Sequence, residues 1–285
     1  MKRLTIGDYV ITLILILFAL AIIIPMWYVI SIALVSETTF LTTRPLLYPV
    51  SPTFENFQNI FHWRAIRTGM FNSAMVSIVG TFYVLFLNIT FAYALMKPIP
   101  GKKFFWILLM IPMFFGGGLV PTFRMMVDLG FMNNRLVLLL PHGIGIITVF
   151  LLQSYMRNLA HEYEESARID GAGDITILIK ILLPLCKPII ATIALFAAVG
   201  GWNRWVEGIL YLQHMHLQPM QMVLQRILLD AQAAMPDLPV EARREAFTRG
   251  LQMAAVVITM FPIVCVYPFL QKHFVKGITL GGVKG

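Results

Sequence analysis

The chain has 285 residues, 58% hydrophobic and 13% charged, with a mean hydropathy of +0.78. A soluble domain carries about 25% charged residues, so a water-soluble globule is excluded and lipid is the expected solvent for much of the surface. The net charge of +8 is read as loop charge that sets membrane orientation, not as a nucleic-acid footprint.

In chain order, Lys2 and Arg3 precede an apolar run at about 10–34. It is longer than the roughly 7–15-residue core of a cleaved signal peptide. It also ends in Trp27 and Tyr28, which suit a membrane interface. This run is expected to be a retained first span. Five more follow at about 70–96, 104–120, 136–155, 185–205 and 250–269. About 20 apolar residues cross a bilayer as a helix. Lipid cannot satisfy backbone polar groups, and barrel strands would alternate. The expectation is one membrane domain over 1–285, an all-α membrane protein with six transmembrane helices. Cys186 and Cys265 both lie in apolar sequence and support neither a disulfide framework nor a metal site.

Orientation follows from short-loop Lys and Arg. Lys2 and Arg3, then Lys97, Lys102 and Lys103 around the turn at 98–101, then Lys272, Lys276 and Lys284 fall on one side of a six-span chain. That side is expected to be cytoplasmic, with both termini there. The loops at about 35–69, 121–135 and 206–249 lie opposite.

The most informative segment is 164–184, EESARIDGAGDITILIKILLP, part of a cytoplasmic loop at about 157–184. Residues 162–170 favour helix, Gly171 suits a terminating residue with positive φ, and 175–183 form a second, more apolar helical run. The expected form is helix–turn–helix along the membrane surface. Glu164, Glu165, Arg168 and Asp170 would face the cytoplasm or a partner, and Ile177, Leu178 and Ile181 the bundle. From composition alone, a docking element for a soluble partner and a partnerless interfacial helix are equally open.

The spacing of Glu165, Ala167, Gly171, Ile181, Leu183 and Pro184 resembles the EAA loop of ABC-importer permeases, with Ser166 in place of the first Ala. Asp170-Gly171-Ala172 is similar to the sugar-transporting branch. Further agreement comes from Asn72-Ser73 with Val76-Ser77, Ala92-Tyr93-Ala94-Leu95, Trp202-Asn203, and the segments 115–123 (FGGGLVPTF) and 271–285 (QKHFVKGITLGGVKG). These resemble the MalG-like carbohydrate permeases and, more closely, the permeases for aldouronate, polygalacturonan-derived and alginate oligosaccharides. The chain departs from the family pattern at Gly208, where the family has Pro.

The resemblance implies a type I ABC importer permease fold in the bacterial plasma (inner) membrane. It implies a half-pore for oligosaccharides, paired with a second homologous permease, usually as a heterodimer. Two ATPase subunits would bind beneath, and an extracytoplasmic solute-binding protein would deliver the sugar. ATPase coupling would fall to Glu164, Glu165, Ala167, Asp170, Gly171, Ala172, Ile181, Leu183 and Pro184. Glu165 would be the charged contact, Gly171 the turn and Pro184 the cap of the join to span five. Asn72, Tyr93, Trp202 and Asn203 are candidates for the sugar path, with Asn88 a lesser one; each is equally read as helix–helix glue or an interfacial anchor.

No catalytic motif is present, so the chain is expected not to be an enzyme. The glycine-rich tail at 277–285 lacks Walker A spacing. No cofactor is therefore expected in this chain, with ATP and Mg held by the partner ATPase. His142, after Pro141 in span four, is an intramembrane candidate, or a histidine bonded to backbone that Pro141 frees. His214 and His216 lack the further ligands a metal needs. Gly116, Gly117 and Gly118 either line a cavity or end a helix. Pro236, Pro239 and 241–245 (EARRE) suggest a turn and surface helix that contacts a binding protein, or an inert face. The alternatives are an ABC permease for another small solute and, from a different class, a secondary transporter. A secondary transporter would carry inverted repeats and buried coupling charges.

Overall fold

The computed structural model describes residues 5–36, 39–40, 48–229 and 249–278. Lys2, Arg3, Pro236, Pro239, the segment 241–245 and the tail from 279, Lys284 included, lie outside them. Every regular element among the described residues is helical. These are α1 (Ile6–Ala33), α2 (Glu55–Phe61), α3 (Arg64–Ala94), α4 (Lys102–Phe114), α5 (Leu119–Asp128), α6 (Ile146–Ile169), α7 (Asp174–Leu185), α8 (Lys187–Trp202), α9 (Trp205–Tyr211), α10 (Met220–Leu229) and α11 (Arg249–Ile278). Short 3-10 turns cover Arg135–Leu138, Leu140–His142 and Met215–Leu217.

Three helices are each long and apolar enough to cross a membrane, namely α1, α3 and the Arg249–Val266 part of α11. Two bent pairs raise the number to five among the described residues. The chain is thus less regular than six uninterrupted spans. Where one helix is expected over 104–120, α4 stops at Phe114, residues 115–118 are non-helical with Gly118 at φ +80°, and α5 then begins. At 13 residues, α4 is about 20 Å long, short of a hydrocarbon core. Span four, expected from 136, starts as 3-10 turns and bends by 47° before α6.

The described residues fall into two compact units. One combines Met1–Arg67 with Val223–Pro262. In it α1 is exposed from Ile6 to Pro25, as a lipid-facing helix should be, and is buried only at Ser31, Ile32 and Ala33. Where α1 ends, Asn56 Nδ2 donates to the Ala33 and Val35 carbonyls at 3.0 and 2.9 Å, satisfying groups the helix leaves open. Gly250 makes this possible, because a Cβ there would lie 2.5 Å from Asn56 Nδ2.

The second unit combines Thr68–Met222 with Ile263–Gly285. Its spine is α3, whose polar side chains bond neighbouring backbone. Asn72 Nδ2 donates to the His216 and Gln218 carbonyls, both at 3.0 Å, and Ser73 Oγ accepts from Met220 N at 2.8 Å. Ser77 Oγ donates to Ala198 O at 3.0 Å. There α3 and α8 approach so closely that a Cβ on Gly201 would lie 3.0 Å from Ser77 Cα, the small-residue packing typical of membrane helices. At the far end of α3, Leu95 O accepts from buried Gln153 Nε2 at 3.0 Å. Ala92, Leu95, Val149, Leu152, Met156, Cys186 and Ile193 form the apolar core at that end. Val76, Met126, Val137, Leu138, Tyr211 and Leu212 form the core at the other.

Candidate functional site

Helix α6 runs unbroken from its apolar start at Ile146 to Ile169. The first arm of the loop is therefore the end of α6, not a separate surface helix. Gly171 ends it at φ +78°, where nothing would touch an added Cβ. Gly171 N bonds Arg168 O at 3.0 Å and Ala172 N bonds Ala167 O at 2.9 Å. Together they form a Schellman turn that occupies carbonyls α6 leaves open. The second arm, α7, is wound as a π-helix over Ile177–Leu182. It meets α8 at a bend of 81°, at Cys186, two residues beyond Pro184.

Ala167, Ile177 and Leu182 are buried around Tyr93, with Ala172, Leu178 and Ile181 packed beside them. Leu183 is half-buried, while Pro184 is exposed. The outer side carries Glu165, Ile169, Asp170, Gly171 and Ile175, all exposed, with Ile169 at 82% and Ile175 at 75%. These two isoleucines were missed from the sequence. The available signal was position: Ile169 lies four residues after Glu165, on the same helix face.

The charged residues do not all point outward as expected. Glu165 is exposed and in no ion pair among the described residues. Glu164 is turned inward. Its carboxylate pairs with Lys97 Nζ, and Arg168 Nη2 lies 3.2 Å away. The reason is competition: a cation already sits beside one of two adjacent carboxylates. Asp174 completes the group, 3.2 Å from Lys97 Nζ and 2.6 Å from Arg168 Nη2. The bond from Lys97, followed by the nearby Lys97 and Arg168 charges, holds the Asp174 carboxyl below its ordinary range. Tyr93, a sugar-path candidate by sequence, belongs here instead. Its hydroxyl donates to Asp174 O at 3.1 Å and Oδ1 at 3.3 Å, and Lys97 Nζ lies 4.6 Å from its ring centroid.

Elsewhere along α3 and at the end of α8 the other candidates are mostly engaged in holding backbone. Asn72 is fully buried and bonded as described. Trp202 is buried, and Asn203, exposed at the end of α8, accepts from Gln221 Nε2 at 2.8 Å. Asn88 joins irregular backbone to α3. Its Nδ2 donates to Gly143 O at 2.7 Å and its Oδ1 accepts from Gly145 N at 3.0 Å. His142 does not rest on backbone that Pro141 frees; its Nε2 lies 3.0 Å from Glu207 Oε1. Arg204, not singled out in the sequence, has Nη1 3.8 Å from the same oxygen. Its side chain is only 14% exposed, and its Nε is buried without a hydrogen-bond partner among the described residues.

Residues 102–280 match the family described as binding-protein-dependent transport system inner membrane component. The chain is 36% identical to Protein LplC of Bacillus subtilis (strain 168) over 266 residues, 92% of this chain and 90% of the relative. It is 33% identical to the polygalacturonan/rhamnogalacturonan transport system permease protein YtcP of the same organism, over 95% of this chain and 96% of that one. Among solved structures, it superposes with a TM-score of 0.85 and 28% identity on a chain from a bacterial ABC transporter involved in the import of the acidic polysaccharide alginate. The match covers 96% of this chain and all of that one. An all-helical chain with broken spans and an EAA-type loop, matched over nearly its whole length, belongs to the binding-protein-dependent inner membrane component family, the non-catalytic multi-pass permease subunits of ABC importers.

Proposed function

We propose that this chain forms half of an oligosaccharide path in an ATP-driven importer and receives the ATP-driven motion through residues 164–185. The observation that carries the coupling role is the shape of that loop. Two helical arms meet at a Gly171 turn and expose two carboxylates, Glu165 and Asp170, and two isoleucines on the outer side. Such a knob suits a groove in a soluble partner, with Ile169 and Ile175 as apolar anchors and Glu165 as the charged contact. Asp170, Gly171 and Ala172 shape the tip. Ala167, Ile181, Leu183 and Pro184 join it to the bundle, and Glu164 braces it from within. Because α6 runs unbroken into the first arm, a pull on the knob acts directly on a membrane helix and biases a two-state path.

The ATPase, present as two copies, binds ATP and Mg. A second permease completes the path, and an extracytoplasmic binding protein presents the sugar. Both termini and the loop face the cytoplasm, in keeping with the Lys placement. The substrate class rests on the relatives, one named for polygalacturonan and rhamnogalacturonan and one for alginate. On this reading Arg204, Trp202 and Asn203 lie at the outer end of the path, with Asn203 the exposed polar group there.

The test is uptake of labelled oligosaccharides by proteoliposomes holding the permease pair and its ATPase, with ATP and ion gradients supplied separately. Uptake that requires ATP and the binding protein is expected. Uptake that follows a proton or sodium gradient without ATP would contradict the reading.

A further inference from the structure

The Lys97 side chain is among the better-buried charges near the loop. It is 17% exposed, and the Glu164 it pairs with is 18% exposed. Two carboxylates converge on this one cation. Glu164 comes from the arm before the Gly171 turn and Asp174 from the arm after it. Arg168 bridges the same two carboxylates, so two cations balance two anions. Lys97 follows the last turn of α3 directly. Tyr93, one turn earlier, adds two bonds to Asp174 and lies under the Lys97 ammonium. That end of α3 is itself anchored, because Gln153 of α6 holds the Leu95 carbonyl. Covalently, the loop connects only to α6 and α8. Through Lys97 and Tyr93 it is also fastened to α3, which carries Asn72, Ser73, Ser77 and Asn88 along its length.

We propose that Lys97, assisted by Tyr93, is a positioning residue that clamps both arms of the loop to the end of α3. Movement of the loop then reaches α3 as well as α6 and α8. The inference rests on the coupling role proposed for the loop. It adds that the loop can dock normally and still fail to move the path when the clamp is cut. A partly buried pair suits this task. Its interactions are screened less than those of exposed charges, and removing one partner leaves the other unpaired.

The test uses the whole importer in proteoliposomes, with three readouts: ATPase retained, ATP hydrolysed and sugar delivered. Lys97→Met should retain the ATPase and hydrolyse ATP, while sugar delivered per ATP falls about fivefold or more, the lower range of site-to-site coupling. Lys97→Arg, which keeps the charge and can bind both carboxylates, should restore most of it. An unchanged ratio in Lys97→Met overturns the clamp. Release of the ATPase by Lys97→Met overturns it too, because the residue would then shape the docking surface. If Lys97→Met does not fold, Tyr93→Phe deletes only the bonds to Asp174 and should lower the ratio about threefold; no change there also overturns the clamp. Ile169→Glu separates the two readings. It should release the ATPase; if the ATPase stays, the docking reading fails whatever Lys97 does. If it leaves and Lys97→Met is unaltered, only the clamp fails.

Discussion

The body of α3 and its C-terminal end solve the same problem with different chemistry. Along its body, from 72 to 88, neutral amides and a hydroxyl hold neighbouring backbone: Asn72 on 216 and 218, Ser73 on 220, Asn88 on 143 and 145. At the 93–97 end, charges hold the loop, with Lys97 and Arg168 set against Glu164 and Asp174. The difference follows from solvent. Backbone freed from helices inside a membrane must be satisfied locally, and amides do so without the desolvation cost of a full charge. Near water the cost of charge is lower, and ion pairs can hold the connection. The body of α3 is therefore fastened by neutral hydrogen bonds, and the loop by ion pairs.

Substitutions can break or sharpen this contrast. The largest effect is expected at Gly143, where an added Cβ would lie 2.6 Å from Tyr83 Cε1 and 2.7 Å from Leu87 Cδ1. Gly143→Val should abolish accumulation of folded chain, read as loss of the monodisperse species after detergent extraction. Next is Asn88→Leu, which leaves the Gly143 carbonyl and Gly145 amide without this partner. A loss of about 1–3 kcal/mol is expected, visible as a lower melting temperature with transport per folded molecule preserved. Gly171→Val should behave in the opposite way. No neighbour would touch the new side chain, but the backbone at φ +78° disfavours it. A strain of about 1–3 kcal/mol should be relieved by rearrangement of the turn, so insertion holds and melting falls no further than in Asn88→Leu, while ATPase retention and uptake drop. If Gly171→Val leaves both retention and uptake intact, the knob has been misassigned.

The smallest effect is one of pH. Asp174 is held below its ordinary range chiefly by Lys97. A carboxylate with a depressed folded-state pKa contributes stability that is complete above the ordinary Asp range and fades as pH falls through the depressed value. The melting difference between wild type and Asp174→Asn should therefore be constant from pH 7 to about 5 and shrink below about pH 4. A difference that disappears between pH 7 and 6 would show that Asp174 is not the group bearing it.

What could be read from the chain was whatever local pattern encodes. Apolar length marked where α1, α3, α8 and α11 run, and the spacing from Glu165 to Pro184 marked the loop and its Gly171 turn. What could not be read depends on contacts distant in sequence. The bend before α6 is held by Asn88, 55 residues from Gly143. The inward rotation of Glu164 is set by Lys97, and nothing in the pair Glu164-Glu165 says which carboxylate turns in. Tyr93 looked like a sugar-path aromatic because its bond to Asp174 spans 81 residues. Ile169 and Ile175 have the composition of core residues, and only the fold leaves them exposed. Arg204 and Glu207 lie three apart, but their meeting with His142 is tertiary.

The central claim is that the loop knob, and not the opposite end of the bundle, meets the ATPase. A photo-crosslinking amino acid at position 169 tests it most directly, with position 209 as comparison; Ile209 is also exposed, at 45%. Irradiation of the intact importer should join the chain to the ATPase from position 169 and not from position 209. Crosslinking from 209 with none from 169 would contradict the account.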